Sequence, residues 1–550
     1  MKTNLFRIRV FGAVLMLAAI AFAACTKDAA GDDIAPENPA DNTQSVLMTA
    51  KLSSFASSPS RVVVEPQTKA YPNPGSLTLY ATIKNLSAEE GKINGFVKEE
   101  DGRYLSATCV YFNPSTETYY VTYHMQGNNY KTKQNDETSG YIETFKLAED
   151  GTPIPGIVYQ AANPAALDFD FNHLFFDDLS NTDNNGNYTG SDTGTRIIAV
   201  GHKSEPSSKV DGEPNTAAII AKLDLENEKI EYATVYTGEK ILDENGKSLG
   251  KEDAGDVNCV IRKYNYYYLA TRKGIAVLNA KPENMFTPIN NVSTEDYLPI
   301  ENSTYFVRTP GSAKHLANYY PAYGSGFSFL YLTEEFPEGY NGETKLPASL
   351  INFSMNAGDG TLCGMNTTDS QTTGKAIYDS TDFDIASWSK GTNQFDVDGL
   401  VCPIDGKNVV FNLNGRLYAC LGKGGLYVRK VVNYADGPAV VENTIKFSDV
   451  KEPTTSRPVN GVFVEDLENF NDGFIYVANG ACLTILDRET LEKVAEFSAY
   501  DSKENEHLAS ANYVHVYKTG TYTGKCPDRL VTVAYGQAGV KVFKFTPPSR

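Results

Sequence analysis

The chain has 550 residues, 41% hydrophobic and 21% charged, with 49 Lys+Arg against 68 Asp+Glu. That balance supplies a large apolar core and excludes a disordered chain, and 44 Gly with 26 Pro exclude a collagen-like or low-complexity sequence. A net charge of −19 argues against nucleic acid as the main partner, because phosphate binding needs a cationic footprint.

In chain order, Lys2, Arg7 and Arg9 form a positive n-region ahead of the apolar run Phe11 to Ala24. That run is too short to span a bilayer and ends in small residues, so residues 1–24 read as a cleaved secretory signal. The junction Phe22-Ala23-Ala24-Cys25 resembles a bacterial lipoprotein lipobox, with Phe22 where Leu is commoner. The resemblance implies that Cys25 becomes the acylated first residue, its palmitate-type chains anchoring the protein in a membrane. The alternative is a plain signal cleaved near Ala23.

Thr26-Lys27-Asp28 and the acidic residues after it resemble the surface-export signal of Bacteroidota lipoproteins. This implies an outer-membrane protein displayed at the cell surface; the bland alternative is an acidic tether. Residues 25–75 read as the lipidated cysteine and a flexible acidic linker, rich in Asp, Asn, Pro, Ser and Ala. Residues 1–24 carry three cations and no anion, so their loss takes the formal charge from −19 to −22. Seven cysteines remain besides Cys25, with no CxxC pair, and Cys420 and Cys482 lie inside apolar strand patterns that suit buried free thiols.

From residue 76 to 550 the sequence predicts one all-β domain. Short runs rich in aromatic and β-branched residues, such as 77–83 and 119–123, alternate with Gly, Asn, Asp and Pro. One unit recurs: a strand reaching Ala, a short connection containing Gly, then an alternating apolar strand. It appears at 268–278, 417–428, 476–487 and 531–543, and in expanded form at 197–221 and 121–143. Aligned on Thr122, Ala199, Ala270, Ala419, Ala478 and Ala534, the steps are 77, 71, 149, 59 and 56 residues. The double step leaves room for a degenerate unit, with strands at 326–332 and 349–353. That makes seven units, six or eight being the neighbouring counts, and stacking them around an axis buries both faces of each sheet.

In such a ring the small alanines are expected on the strands nearest the axis, where larger side chains clash. The YxA…G…VxV pattern resembles the repeat of LVIVD-type and YncE-like β-propellers over about residues 76–547. It implies a seven-bladed β-propeller, without the Trp-Asp and Gly-His signatures of WD40 blades; the only tryptophan, Trp388, is outside the repeats. The rival all-β reading is a set of stacked sandwiches.

Catalytic signatures are lacking: there is no GxSxG elbow, HExxH pair, Walker loop or GxGxxG before a helix. Gly422-Lys423-Gly424-Gly425 superficially resembles a phosphate cradle but lies between two strands, which predicts a hairpin turn. Asp168, Asp170, Asp177, Asp178 and the Asp183–Asn187 stretch invite a calcium reading, against which a polar, Asn-rich surface turn is preferred. The six histidines share no short metal-ligand spacing, so neither metal nor cofactor is expected, although distant ligands can converge in a ring.

Residues just beyond the aligned position should emerge at one end of the ring, close to its axis. These are His124, His202, Arg272, Lys273, Lys423, Asn479 and Gln537. They form a candidate cationic mouth on an acidic body, suited to an anionic small molecule such as a carboxylated sugar or phosphate; the bland account is polar hairpin tips. The long connections at 125–138 and 202–216 are expected as recognition loops.

The functional expectation is a lipid-anchored surface module that binds a small molecule, glycan or protein and is open to antibodies as an antigen. Two alternatives stand beside it. One is a propeller hydrolase or lyase, marked by convergent carboxylates or histidines at the axial mouth. The other is a structural subunit of an outer-membrane uptake or adhesion complex, marked by a large apolar patch.

Overall fold

A computed structural model describes residues 43–47, 50–51, 75–83, 103–127, 140–161, 166–178, 195–210, 213–242, 246–289, 306–308, 311–319, 326–333, 345–355, 362–363, 376–384, 408–413, 416–422, 424–434, 437–448, 456–465, 473–499, 509–519, 527–536 and 538–548. The signal segment, Cys25, the 183–187 stretch, Trp388, Lys423 and Gln537 lie outside the described residues.

The described residues are all-β, apart from a 3-10 turn at Pro282–Asn284. Strands such as Phe474–Asn479 and Cys482–Asp487 are buried at every position. An antiparallel strand loses the usual in–out alternation only when its sheet is covered on both faces. Neighbouring sheets supply that cover. One apolar layer packs Ile198, Val200 and Ile220 against Val260, Leu269 and Ala276, and another packs Tyr418, Cys420 and Val428 against Val462, Ile475 and Val477.

Sheet topology repeats a simple plan of four antiparallel strands in sequence order. Val257–Lys263, Tyr266–Thr271, Gly274–Asn279 and Phe306–Arg308 form one such sheet; Val410–Leu413, Arg416–Cys420, Leu426–Tyr434 and Gly437–Ile445 form another. Val459–Val464, Phe474–Asn479, Cys482–Asp487 and Lys493–Ser498 form a third. The order recurs in Asp168–Asp178, Thr195–Val210, Glu213–Asp224 and Lys229–Thr234. Gly326–Thr333 pairs with Lys345–Met355 where the degenerate unit was expected, and Gly311–Tyr319 precedes them.

A nine-stranded sheet joins the run beginning at Arg103–Asn113 to the run beginning at Ala509–Lys518, through the single pair Gly536–Ala107. Ser76–Ile83, from the start of the β region, pairs alongside Val540–Thr546 at its end, which ties the two ends of the fold together. The sheets make a propeller-like arrangement, with four blades evident among the described residues and a sheet curled into a half-barrel.

Four expectations need correction. First, the aligned alanines are on the second strand of each sheet. The strands that meet their counterparts from sheet to sheet are the first ones, so the closest approach occurs one strand further in. Second, the alignment slips by one residue in two units. Register pairs Cys109 with Thr122, Cys259 with Ala270, Gly461 with Ala478 and Tyr513 with Ala534, but His173 with Val200. Cys420 N–H, not that of Ala419, donates to Val409 O. A one-residue slip sends a side chain to the other face of the sheet, and Ala199 accordingly packs in the layer opposite to that of Val200.

Third, residues 202–216 are not a loop: Thr195–Val210 and Glu213–Asp224 continue as a long antiparallel hairpin. Fourth, Asp168–Asp178 is an eleven-residue strand, in which Asp168, Asp170 and Asp177 are buried. The expected linker also contributes two short strands, Thr43–Leu47 against Lys229–Thr234 and Ala50–Lys51 against Pro153–Tyr159. Open sheet edges offer unpaired backbone groups, and these strands use them.

The Gly422–Gly425 segment is a hairpin turn, with φ of 57° at Gly422 and 98° at Gly425, where an added Cβ would lie 2.3 Å from Ile445 O. Cys109, Cys259, Cys420 and Cys482 are buried thiols outside any disulfide.

Charge is also sealed between sheets. Arg529 Nε and Nη2 donate to the two oxygens of Glu465 at 2.8 and 3.0 Å, and Tyr476 OH donates to Glu465 Oε1 at 2.8 Å. Asp177 accepts from Arg262 Nη1 at 2.6 Å and Tyr267 OH at 2.7 Å.

Candidate functional site

The first strands share a bulge at one level. Register skips Thr108, Asn172, Asn258, Lys314 and Asn460, and skips 510–512 in the last case. A bulged residue leaves the ladder and can turn its side chain to a new partner. Here the partner is a carbonyl on the next first strand. Thr108 Oγ1 donates to Phe171 O at 2.8 Å, Asn172 Nδ2 to Val257 O at 3.1 Å and Asn258 Nδ2 to Ala313 O at 2.7 Å. Asn460 Nδ2 donates to Ala511 O at 3.3 Å, and Asn512 Nδ2 to Ala107 O at 3.2 Å. Phe171, Val257, Ala313 and Ala107 each stand just before the next bulge, and Ala511 lies within one, so one rule with a single variation is repeated around a belt of polar side chains.

Above this belt, two of the candidate residues come together. His124, in Thr118–Gly127, and His202, midway along Thr195–Val210, have ring centroids 5.6 Å apart. His202 sits between two carboxylates, Nε2 at 3.2 Å from Asp170 Oδ2 and Nδ1 at 3.4 Å from Asp256 Oδ2. His124 Nδ1 is 3.1 Å from Asn172 Oδ1, and its Nε2 is 4.0 Å from Asp170 Oδ2. Asn172 Nδ2 also donates to Asp256 Oδ1 at 2.8 Å, linking this cluster to the belt below.

Burial grades across the cluster. The Asp170 side chain is 1% exposed and that of His202 9%, whereas His124 and Asp256 reach 18% and 24%. His124 and Asp256 are therefore the members that meet solvent. Burial acts to raise the Asp256 carboxyl, but His202, His124 and the Asn172 amide outweigh it and hold the group below the usual aspartate range.

The remaining candidates separate. Arg272 is exposed, and its backbone N–H donates to Asp256 O at 2.8 Å, placing it at the same end. Lys273 Nζ is 3.1 Å from Glu252 Oε1 and 2.9 Å from Asp253 O. Asn479 is fully buried and donates from Nδ2 to Val477 O and Thr484 Oγ1, so it braces a hairpin instead of facing a mouth. The expected excess of cations is likewise corrected: Lys273 and His202 both face carboxylates. Pairwise attraction in a partly dry site draws acidic groups to basic ones, and residue type along the hairpin tips reveals only one side of each pair.

Sequence reasoning singled out Asp170 only within the calcium reading it ranked second, and it missed Asp256 and Asn172. A usable signal existed for the last: Asn followed two residues later by Val or Leu recurs at 172, 258, 408, 460 and 512.

The fold and this polar end define an all-β, propeller-like protein with an imidazole–carboxylate cluster beside its inner strands. No family model and no curated protein matches the chain. Solved structures similar to it include the S. cerevisiae complex of a Dbp5 variant with Nup159, a Gle1 variant, IP6 and ADP, at 8% identity and TM-score 0.39, covering 88% of this chain and 98% of that one. The computationally designed Ika8 protein matches at 10% identity and TM-score 0.32, over 80% of this chain and 97% of that one. BBS1N, in complex with ARL6DN and soaked with lead, matches at 9% identity and TM-score 0.39, over 83% and 98%. Likeness at this level bears on neither ligand nor activity.

Proposed function

We propose that the chain is a lipid-anchored, surface-displayed binding module whose domain closes as a seven-bladed β-propeller. Support for closure comes from the first strands, which touch in an unbroken cycle: Arg103–Asn113, Asp168–Asp178, Val257–Lys263, Gly311–Tyr319, Val410–Leu413, Val459–Val464, Ala509–Lys518 and back to the first. Lipid anchoring rests on the Phe22-Ala23-Ala24-Cys25 junction, and surface display on the acidic run behind it. Metabolic labelling with palmitate, lost in Cys25→Ala, tests the anchor; protease access on intact cells tests the display. Exposure to host antibodies goes with the same location.

The observation that carries the binding reading is the cluster of His124, His202, Asp170 and Asp256 at one end of the inner strands. Imidazole donors beside carboxylate acceptors match hydroxyl pairs, which both give and take hydrogen bonds. The favoured ligand is a glycan, ahead of the simple anion that a cationic mouth would favour. A glycan array probed with the full chain in detergent, followed by His124→Ala and Asp256→Asn, tests this. Signal lost in both variants supports it; unchanged signal overturns it.

A second reading has its own observation. The His124 side chain stays partly exposed while Nδ1 faces the Asn172 amide oxygen, an arrangement that suits a general base in a hydrolase or lyase. Turnover of an array-selected glycan, abolished by His124→Gln with binding retained, separates enzyme from binder.

A further inference from the structure

One step along the first strands from the bulges, the next residues are His173, Cys259 and His315, on three successive sheets. A ring nitrogen of each histidine and the Cys259 sulfur all lie within 4.8 Å of one another. All three residues are buried, Cys259 completely. We infer that these three side chains bind a borderline-to-soft transition-metal ion, Zn2+ or Cu+, at the centre of the fold.

The donor set selects the ion class. Two imidazoles and a thiolate are soft or borderline donors, whereas Ca2+ and Mg2+ require shells of oxygen. Zn–N bonds of about 2.0–2.1 Å and Zn–S bonds of about 2.3 Å put neighbouring donors roughly 3.5 Å apart. Donors already within 4.8 Å reach that spacing by small side-chain rotations, without moving the strands. Binding releases the Cys259 thiol proton, and the thiolate offsets part of the ion's charge.

Packing alone does not require these residue types. The corresponding positions in two other sheets are Val409 and Gly461, which serve the same backbone geometry. Donor residues are therefore not forced by the repeat, yet His173, Cys259 and His315 converge from positions more than fifty residues apart.

The surroundings suit a closed site. Asn258 donates to Ala313 O at 2.7 Å and to Ser312 Oγ at 3.2 Å, which holds the strands carrying Cys259 and His315 together. The His173 and His315 rings stand edge-on at 5.4 Å, and the Tyr513 ring lies 5.7 Å from His173. Further along, Tyr111 and Phe463 pack about His515. Val410 N–H donates to His315 Nδ1 at 3.3 Å, a bond that ligation through Nε2 exchanges for a proton on Nδ1.

This inference is independent of what binds at the mouth. Its test is metal analysis of the full chain in detergent, purified from cells grown in zinc- or copper-supplemented medium. The expected result is about one ion of Zn or Cu per chain. Cys259→Ser and His315→Gln should each lower retention against a chelator roughly tenfold or more, whereas Cys482→Ser, on the third strand of another sheet, leaves it intact. Co2+ loading of the unmutated chain gives a readout that needs no variant, a thiolate-to-cobalt charge-transfer band. Absence of metal from both preparations, unchanged retention in the two variants, or a cobalt spectrum without that band overturns the proposal.

Discussion

Two carboxylate clusters in this molecule use the same pairing chemistry at different depths. Glu465 is locked between Arg529 and Tyr476, with the Glu465 and Arg529 side chains each only 2% exposed. Asp256 also faces a basic group, His202, but its side chain is 24% exposed and its partner His124 meets solvent. A sealed pair cannot exchange partners with a ligand, so its role is to hold two sheets in register. An open pair can trade a protein hydrogen bond for a ligand hydrogen bond at small cost. Depth, more than residue type, separates the architectural pair from the proposed recognition site.

The largest effect that sharpens this contrast is at the sealed pair. Arg529→Met leaves Glu465 as a buried, poorly compensated charge and should cost about 3–5 kcal/mol. Adding Glu465→Leu should restore much of the loss, because replacing both partners removes the stranded charge. Denaturant unfolding of the single and double variants measures both. A single variant within 1 kcal/mol of the parent would place the pair among ordinary surface contacts.

Next in size is the polar belt. Asn512→Ala removes the donor that reaches Ala107 O across the junction of the first and last runs, and should cost about 1–3 kcal/mol by leaving a buried carbonyl unsatisfied. Amide exchange should rise first in Ala509–Lys518 and Arg103–Asn113, the strands that this bond connects.

A third effect appears only in acid. Burial pushes His515 down to about 3, so the folded protein keeps this imidazole neutral while the unfolded chain protonates near the usual histidine value. The unfolded state therefore binds more protons between about pH 6.5 and 3, and stability falls as pH drops through that window. His515→Phe retains a ring against Tyr111 and Phe463 and should flatten this decline, leaving stability at pH 8 nearly unchanged. Thermal melts at pH 8 and pH 5 read the difference.

Much of the architecture was legible in the residues. The Ala–Gly hairpins at 270, 478 and 534 were located correctly, because tight turns and small side chains leave strong local traces, although their alanines are one strand further out than expected. The slip at Ala199 and Ala419 had a physical cause: Val200 and Cys420 are also compact and apolar, so either neighbour satisfies the pattern. The candidate site was half legible. His124 and His202 were found from their place after the aligned position, but Asp170 and Asp256 come from other strands. Nothing local in a sequence records which carboxylate a folded sheet will bring to an imidazole. His173, Cys259 and His315 escaped for the same reason, since their proximity is created by the stacking of sheets.

The smallest expected effect on stability falls at the open pair, and it is the most informative about function. Asp256→Asn keeps the size of the side chain and its acceptor for the Asn172 amide, but removes the charge beside His202. With a quarter of the side chain in water, the loss at pH 7 should stay below about 1 kcal/mol. Because the folded carboxyl lies below the ordinary aspartate range, its contribution is present above that range and disappears as pH falls through the folded value. Parent and variant melts should therefore differ at pH 7 and converge once pH has fallen below the ordinary aspartate range and through the lowered folded value. A loss of several kcal/mol in Asp256→Asn, comparable to that of Arg529→Met, would mean that this end of the inner strands is sealed architecture as well. It would then lack the freedom to exchange partners on which the proposed recognition depends.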